Sequence, residues 1–515
     1  MAINQTEGHP RRRQILAVLC LSLLIVVIDN TILNTALPTL ARELRATTTD
    51  LQWITDAYTL TFAALLIVAG ALGDRYGRRR ALLLGLGIFA AGSVGAALAG
   101  DATTLIAARA VMGIGGAFVM PATLSILTAV FPARERAGAI GAWSAVTGIG
   151  IVAGPTLGGL LLTHFYWGSV FWINVPLVVV ALVAVVLLIP DLPGRRTGTR
   201  LDLIGAALSA IALTAIVDAV IEGPDRGWTS PVTLVEAAAG VALFAGFVLR
   251  ELRTANPLID VRVFRHRAFS AGTAAIALTF FALFGSLFAL TQYLQLVRDY
   301  SPLSAGLRAL PFAAAVMVTA PVSTLLVQRF GARVVVPAGL IGMGAGLLLL
   351  TGSTTTTDYA ILAIDVAIMG AGMGLVMAPA SESIMSVLPP ERAGVGSAVN
   401  DTVQELGGSL GVAVIGSVVS ASFRQAIDAS ALPTGLLQAA RPSIAAANAI
   451  AAQAGGLGGR VVEVAHDSFT TAMTSGFAVA GWTALAGAIV AAIFLPGRPT
   501  VVAAGPIEVP ELVPA

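Results

Sequence analysis

The sequence predicts an all-α polytopic membrane protein: two six-helix bundles in parallel repeat, plus two inserted helices, fourteen spans in all. Three observations carry this. Apolar runs of about 20 residues recur from end to end, the length needed to cross a bilayer as a helix. Over 515 residues, 57% are hydrophobic and only 11% are charged, with a mean hydropathy of +0.87, which no soluble globular chain of this length shows. The chain also repeats itself at an offset of about 255 residues. "MGIGGAFVMPA" (Met112 to Ala122) returns as "MGAGMGLVMAPA" (Met369 to Ala380), "FPARERAGAIG" from Phe131 as "LPPERAGVGSA" from Leu388, and "DRYGRRR" from Asp74 as "QRFGARV" from Gln328.

The first span, 14–37, follows "RRR" at Arg11 to Arg13 with no cleavage site between, so it reads as an anchor after a cytoplasmic tail, 1–13. Spans 51–72, 81–100, 103–129, 137–162 and 170–190 complete a first bundle, 14–190. Spans 202–222 and 232–249 fall outside the repeat, in an inserted unit, 191–268. Spans 269–295, 304–327, 334–352, 359–385, 394–421 and 471–495 form the second bundle, 269–495. Its long Ala/Gly-rich segment at about 424–468 is placed outside the cell, as short interfacial helices or a hairpin. The Pro-rich tail, 496–515, is cytoplasmic. With both termini inside, cytoplasmic segments hold 21 Arg and external ones 8, leaving Arg109 within the fourth span. That bias follows the positive-inside rule.

Every basic residue among the 30 Lys+Arg is Arg, and the four His (His9, His164, His266 and His466) fall in predicted loops or the tail. Arg does not deprotonate in proteins, so carboxylates are the main proton carriers available within the membrane. Cys20 is the single cysteine, so neither a disulfide within the chain nor a multi-cysteine metal site exists. No GxxxxGK[ST] phosphate loop occurs; no cofactor and no nucleic acid are expected.

Four motifs resemble a known family. "GALGDRYGRRR" (Gly70 to Arg80) is similar to the loop signature of the major facilitator superfamily. "TGIGIVAGPTLGG" (Thr147 to Gly159) resembles the fifth-span signature of its drug:proton antiporters. "IDNTILNTALP" resembles the first-span signature of the fourteen-span branch, and "QWITDAY" (Gln52 to Tyr58) the second span of bacterial quaternary-ammonium and dye efflux pumps. The resemblance implies alternating access in a bacterial cytoplasmic membrane. It also implies export of lipophilic cations driven by inward protons, with one copy of the chain as the working unit. A dedicated exporter of one metabolite or antibiotic is the alternative. A membrane-embedded enzyme needs a larger external catalytic loop than "ARELRATTTD" offers, and the fifth-span signature argues against nutrient uptake.

Site residues follow from chemistry. A charge at mid-bilayer costs roughly 3 kcal/mol on insertion scales, so intramembrane charges point to function. Asp29 is expected to face a water-accessible cavity as the proton site, with Asn34 hydrogen-bonding its neighbourhood. Arg109 needs an acid partner and is assigned to proton coupling, with Glu405 and Asp401, which share a helix face at i, i−4. Asp56, beside Trp53, Tyr58 and Phe62, is assigned to cation recognition. Phe284 and Phe288 extend an i, i+4, i+8 stripe from Phe280, and aromatic faces attract cations. Gln292, Asn400 and Gln404 complete the substrate set. The conformational switch is assigned to Gly70, Asp74, Arg75, Gly77 and Arg78 in the loop. Gly150, Gly154, Pro155, Gly158 and Gly159 join it as a smooth face on which the bundles rock. Asp50 is expected to cap the second span. Asp365, near the outer end of its span, is a weaker candidate, and Asp218 is placed in an external vestibule.

Overall fold

A computed structural model describes residues 9–191, 202–254, 257–258, 261–387 and 393–497. The 1–8 end of the N-terminal tail, the Arg195–Arg200 stretch of the inserted unit and the tail beyond 497 lie outside the described residues. The first bundle comprises α1 (Arg12–Glu43), α2 (Thr48–Tyr76), α3 (Arg78–Ala97), α4 (Ala102–Val130) and α5 (Ala133–His164), and a sixth span broken into α6 (Ser169–Trp172) and α7 (Asn174–Leu188). α8 (Leu203–Arg226) and α9 (Pro231–Arg253) are the inserted pair. The second bundle holds α10 (Arg267–Gln292), α11 (Pro302–Leu307), α12 (Leu310–Phe330), α13 (Ala332–Leu350), α14 (Tyr359–Met385) and α15 (Ala393–Asp428). Two short helices, α16 (Thr434–Ala440) and α17 (Ile444–Ala451), precede the last span, α18 (Gly458–Phe494). Among the described residues, 13 helical spans are long and apolar enough to cross a membrane. The 32-residue α5 makes the fourteenth.

Packing repeats with the sequence. α2 and α3 pack on α4, and α1 on α5 and α7; in the second bundle α12 and α13 pack on α14, and α10 on α15 and α18. The repeated "MG" motifs explain the closeness. A Cβ on Gly115 would sit 2.5 Å from the Phe89 nitrogen, and one on Gly370 2.5 Å from the Phe312 oxygen, so only glycine permits these helix–helix approaches. The two matching turns also share a backbone solution. Gly77 (φ 111°) and Gly331 (φ 79°) hold the left-handed region at the α2–α3 and α12–α13 turns, which favours glycine.

Several helix ends cluster on one side, here the terminal side. His9 N–H donates to the Val130 oxygen at 2.9 Å, Arg79 to the Val186 oxygen at 2.7 Å, and Arg333 to the Ala492 oxygen at 2.7 Å. Contacts between the two bundles sit toward the far side. Gln52 on α2 donates to the Ala413 and Val412 oxygens of α15 at 2.9 and 3.2 Å. Gln295 donates to the Thr35 oxygen of α1 at 2.9 Å. Thr48 donates to the Pro442 oxygen at 3.5 Å. No hydrogen bond joins the two bundles at the terminal side among the described residues. The inserted α8 lies along the α2–α15 seam, where Ser417 donates to its Val220 oxygen at 2.7 Å.

Two details differ from the sequence-based expectation. α18 begins at Gly458, not 471, because its first turns are polar and carry no apolar signal. Of the two alternatives for the 424–468 segment, it takes the helical one, with the short helices α16 and α17. Thr47, not Asp50, is the N-cap of α2; Asp50 is its reciprocal partner in a capping box.

Candidate functional site

Asp29 and Arg109 form a fully buried ion pair, Oδ2 to guanidinium at 2.5 Å. Asn174 donates to the other carboxylate oxygen at 2.8 Å and lies 3.1 Å from Ser93. Ser93 in turn donates to the Phe171 oxygen at 2.8 Å. Arg109 also donates to the Ile54 oxygen at 3.2 Å, and its guanidinium lies 4.3 Å from the centre of the Tyr58 ring. One of its terminal nitrogens has no partner. Asp29 is 0% exposed, which corrects the expectation that it faces a water-accessible cavity. What makes the charge tolerable is a counter-charge, together with a hydrogen bond to each carboxylate oxygen. Asn34 takes no part; its amide reaches only the Asn30 oxygen, at 3.4 Å.

The α2–α15 seam holds the other acids. Asp56 is fully buried and lies across from Ser409. It accepts from Thr59 at 3.4 Å, and its second oxygen has no partner. Glu405, one turn further along α15, is partly exposed and close enough to Arg109 for their charges to interact. Asp401 and Gln404 are partly exposed too. Asn400 accepts from Ser381 of α14 at 3.0 Å and donates to Asp401 at 3.3 Å.

No aromatic box forms around Asp56. Tyr58 and Phe62 are buried and stacked, ring centres 5.9 Å apart, and turn into the first bundle toward Gly116 of α4. Trp53 packs instead with Val217 and Ile221 of α8. Each residue turns a helix by about 100°, so neighbours in sequence fan out onto different partners.

A partly open cavity lies between α1, α5, α10, α12 and α14. Asn34, Thr31, Phe280, Phe284, Thr291 and Gln295 line it, and among the described residues Arg308 is the one charged group in its wall. Phe280 and Phe284 stack at 5.9 Å. Phe288 is 0% exposed in the core, because i, i+4, i+8 positions drift by about 80° around a helix. Gln292 also faces inward and donates to the Phe288 oxygen at 3.1 Å. Its place is taken by Gln295, which lies in a π-helical turn, Tyr293–Val297. The extra residue of such a turn re-aims the side chains after it.

Residues 19–412 match the profile of the Major Facilitator Superfamily. The chain belongs to the major facilitator superfamily. "Multidrug resistance protein Stp" of Mycobacterium tuberculosis is 39% identical, over 80% of this chain and 76% of that one. The "Tetracenomycin C resistance and export protein" of Streptomyces glaucescens is 36% identical, over 92% and 90%. Among solved structures, a bacterial homologue of the human lysosomal transporter Spinster gives a TM-score of 0.67 at 18% identity, covering 93% of this chain and 98% of that one. That likeness shows the superfamily fold. The protein is a transporter, not an enzyme.

Two of the sequence motifs can be placed. In the loop, Asp74 accepts from Arg78 at 3.0 Å, Arg78 reaches the Ser125 oxygen at 2.9 Å, Arg75 stacks over Tyr76 at 5.6 Å, and Gly70 faces Pro121. The fifth-span signature divides between two faces. Gly150, Gly154 and Gly158 meet Val27, Thr31 and Ile32 of α1, inside their own bundle. Thr31 donates to the Gly150 oxygen at 3.1 Å. Pro155 and Gly159 lie against the other bundle, at Gly306 and Leu303. The expected rocking face is thus narrower: glycines four apart share one helix face, and that face is spent on α1. Asp218 gathers on Arg226 with Glu236, at 3.0 and 2.8 Å. Asp365 is 5% exposed on α14.

Sequence reasoning missed Asn174, Ser93, Gln295 and Arg308. Asn174, a lone amide in the apolar run "FWINVP", gave the only usable signal.

Proposed function

We propose that this chain is a proton-coupled antiporter that exports lipophilic, mainly cationic drugs from the bacterial cytoplasm by alternating access. The Asp29–Arg109 pair, with Glu405 close enough for its charge to act on the same guanidinium, supports this reading best. Arg109 can be shared by two acids on different bundles. A proton on Asp29 frees the guanidinium toward Glu405; loss of that proton draws it back. Such an exchange ties the proton's position to the relation between the bundles. Asp56 has no counter-charge in this arrangement and is suited to meet a cation when the far-side seam parts. The relatives named for multidrug resistance and for tetracenomycin C export are consistent with drug export. Cells producing the protein are expected to accumulate less ethidium than controls, and a protonophore should abolish the difference. Equal accumulation in both would refute the reading.

The terminal side is assigned to the cytoplasm. In a Cys20→Ser background, Ala449→Cys on α17 is expected to react with an impermeant maleimide added to intact cells. Labelling only after lysis would reverse the orientation.

Asp74 and Arg78, both partly exposed, are assigned to the conformational switch. An exposed pair of this kind adds at most about 1 kcal/mol, so Asp74→Asn should fold and insert normally. Its ethidium export is nevertheless expected to fall at least 10-fold, a fold-change of about 1.4 kcal/mol in the barrier. Export at the full rate would remove the loop from the switch.

A further inference from the structure

We propose that the cavity between α1, α5, α10, α12 and α14 is a binding site for lipophilic anions, whose negative charge is met by Arg308. None of the acids assigned to cation handling lines it: Asp29, Asp56, Asp401 and Glu405 all lie elsewhere. Its walls are otherwise apolar or neutral, with Phe280 and Phe284 on α10 and Met373 on α14. A cation entering this space would meet a guanidinium and no carboxylate.

Arg308 is held as an anion receptor is held. It stacks between Tyr300 and Tyr359, 3.8 and 5.0 Å from their ring centres. One terminal nitrogen donates to the oxygens of Ser304. Its Nε is buried with no partner, and no carboxylate forms an ion pair with it among the described residues. Nearby acids are otherwise engaged. Asp358 caps α14 through the Ala360 N–H at 2.7 Å and acts on Arg298; Asp299 is not in the wall. A stacked guanidinium is fixed in place and weakly hydrated, and its positive charge favours an oxyanion or a diffuse anion. The rest of the wall, mostly aromatic and aliphatic side chains, favours an apolar body. Phe284 also faces Gly408 of α15, about one helical turn from Glu405. The aromatic pair therefore forms a wall between an anion-selective cavity and an acid-lined seam. One exporter would then accept lipophilic compounds of either charge through different subsites.

The consequence for transport rests on the export reading, but the site itself is tested by binding alone. The probes are tetraphenylborate and tetraphenylphosphonium, near-isosteric ions of opposite charge. Each is titrated into purified protein in nanodiscs, with empty nanodiscs subtracted. Wild-type protein is expected to bind tetraphenylborate saturably. Arg308→Gln should weaken that binding at least 10-fold and leave tetraphenylphosphonium within 2-fold. Arg308→Lys should restore most of the borate affinity. Ala313→Phe, which fills the cavity from α12, should also lower it, which keeps the test open if Arg308→Gln misfolds. Non-saturable borate binding, or equal affinity in wild type, Arg308→Gln and Ala313→Phe, would overturn the site.

Discussion

Asp29→Asn is expected to abolish transport of every substrate while leaving a protein that still inserts. The change removes one charge of a fully buried pair and strands Arg109 with the Asn174 network and the Ile54 oxygen. Breaking a buried pair by removing one partner costs about 3–5 kcal/mol, so a lower melting temperature is expected as well. Stability and function can be separated. The double variant Asp29→Asn/Arg109→Gln removes both charges and should recover most of the lost thermal stability. It should remain inactive, because no group is left to exchange a proton against the guanidinium. Recovery of transport in the double variant would make the pair a structural staple only. Melting curves and ethidium efflux on the same preparations decide between the two.

Asp56→Asn and Glu405→Gln are expected to fail differently. Asp56 is sealed in the α2–α15 seam beside Ser409, without a counter-charge, whereas Glu405 is partly exposed and near Arg109. Asp56→Asn should lose export of a bis-quaternary dication such as dequalinium by at least 10-fold, about 1.4 kcal/mol. Its ethidium export should stay within about 3-fold, or about 0.7 kcal/mol by the same conversion. Glu405→Gln should depress both, since it removes the second acid available to Arg109. Equal loss of dication and monocation export in Asp56→Asn would contradict a recognition role for that residue.

Much of the fold was legible in the sequence because membrane spans announce themselves by length and apolarity, and because the two halves share motifs. The twin glycine turns at Gly77 and Gly331 were visible as "DRYGRRR" and "QRFGARV". What the sequence hid was direction. Tyr58 and Phe62 sit two and six residues beyond Asp56, yet they turn into the first bundle while Asp56 faces α15. The partners of Asp29 lie 80 and 145 positions away, so only tertiary packing could pair them. Gln295 replaced Gln292 because a π-helical turn shifted the register of α10, a change no apolar pattern records. The start of α18 was hidden for the opposite reason: a helix whose first turns are polar gives no span signal.

The most direct test of proton coupling uses purified protein in proteoliposomes, with ethidium on both sides and no ATP. A pH gradient is imposed with the lumen acidic, and the movement of dye and of protons is followed together. A proton-coupled antiporter will concentrate ethidium in the acidic lumen, against its own gradient, as protons leave. The uptake should vanish in Asp29→Asn and when the gradient is collapsed. Ethidium that merely equilibrates, at a rate indifferent to the pH gradient and to Asp29, would contradict proton-coupled export.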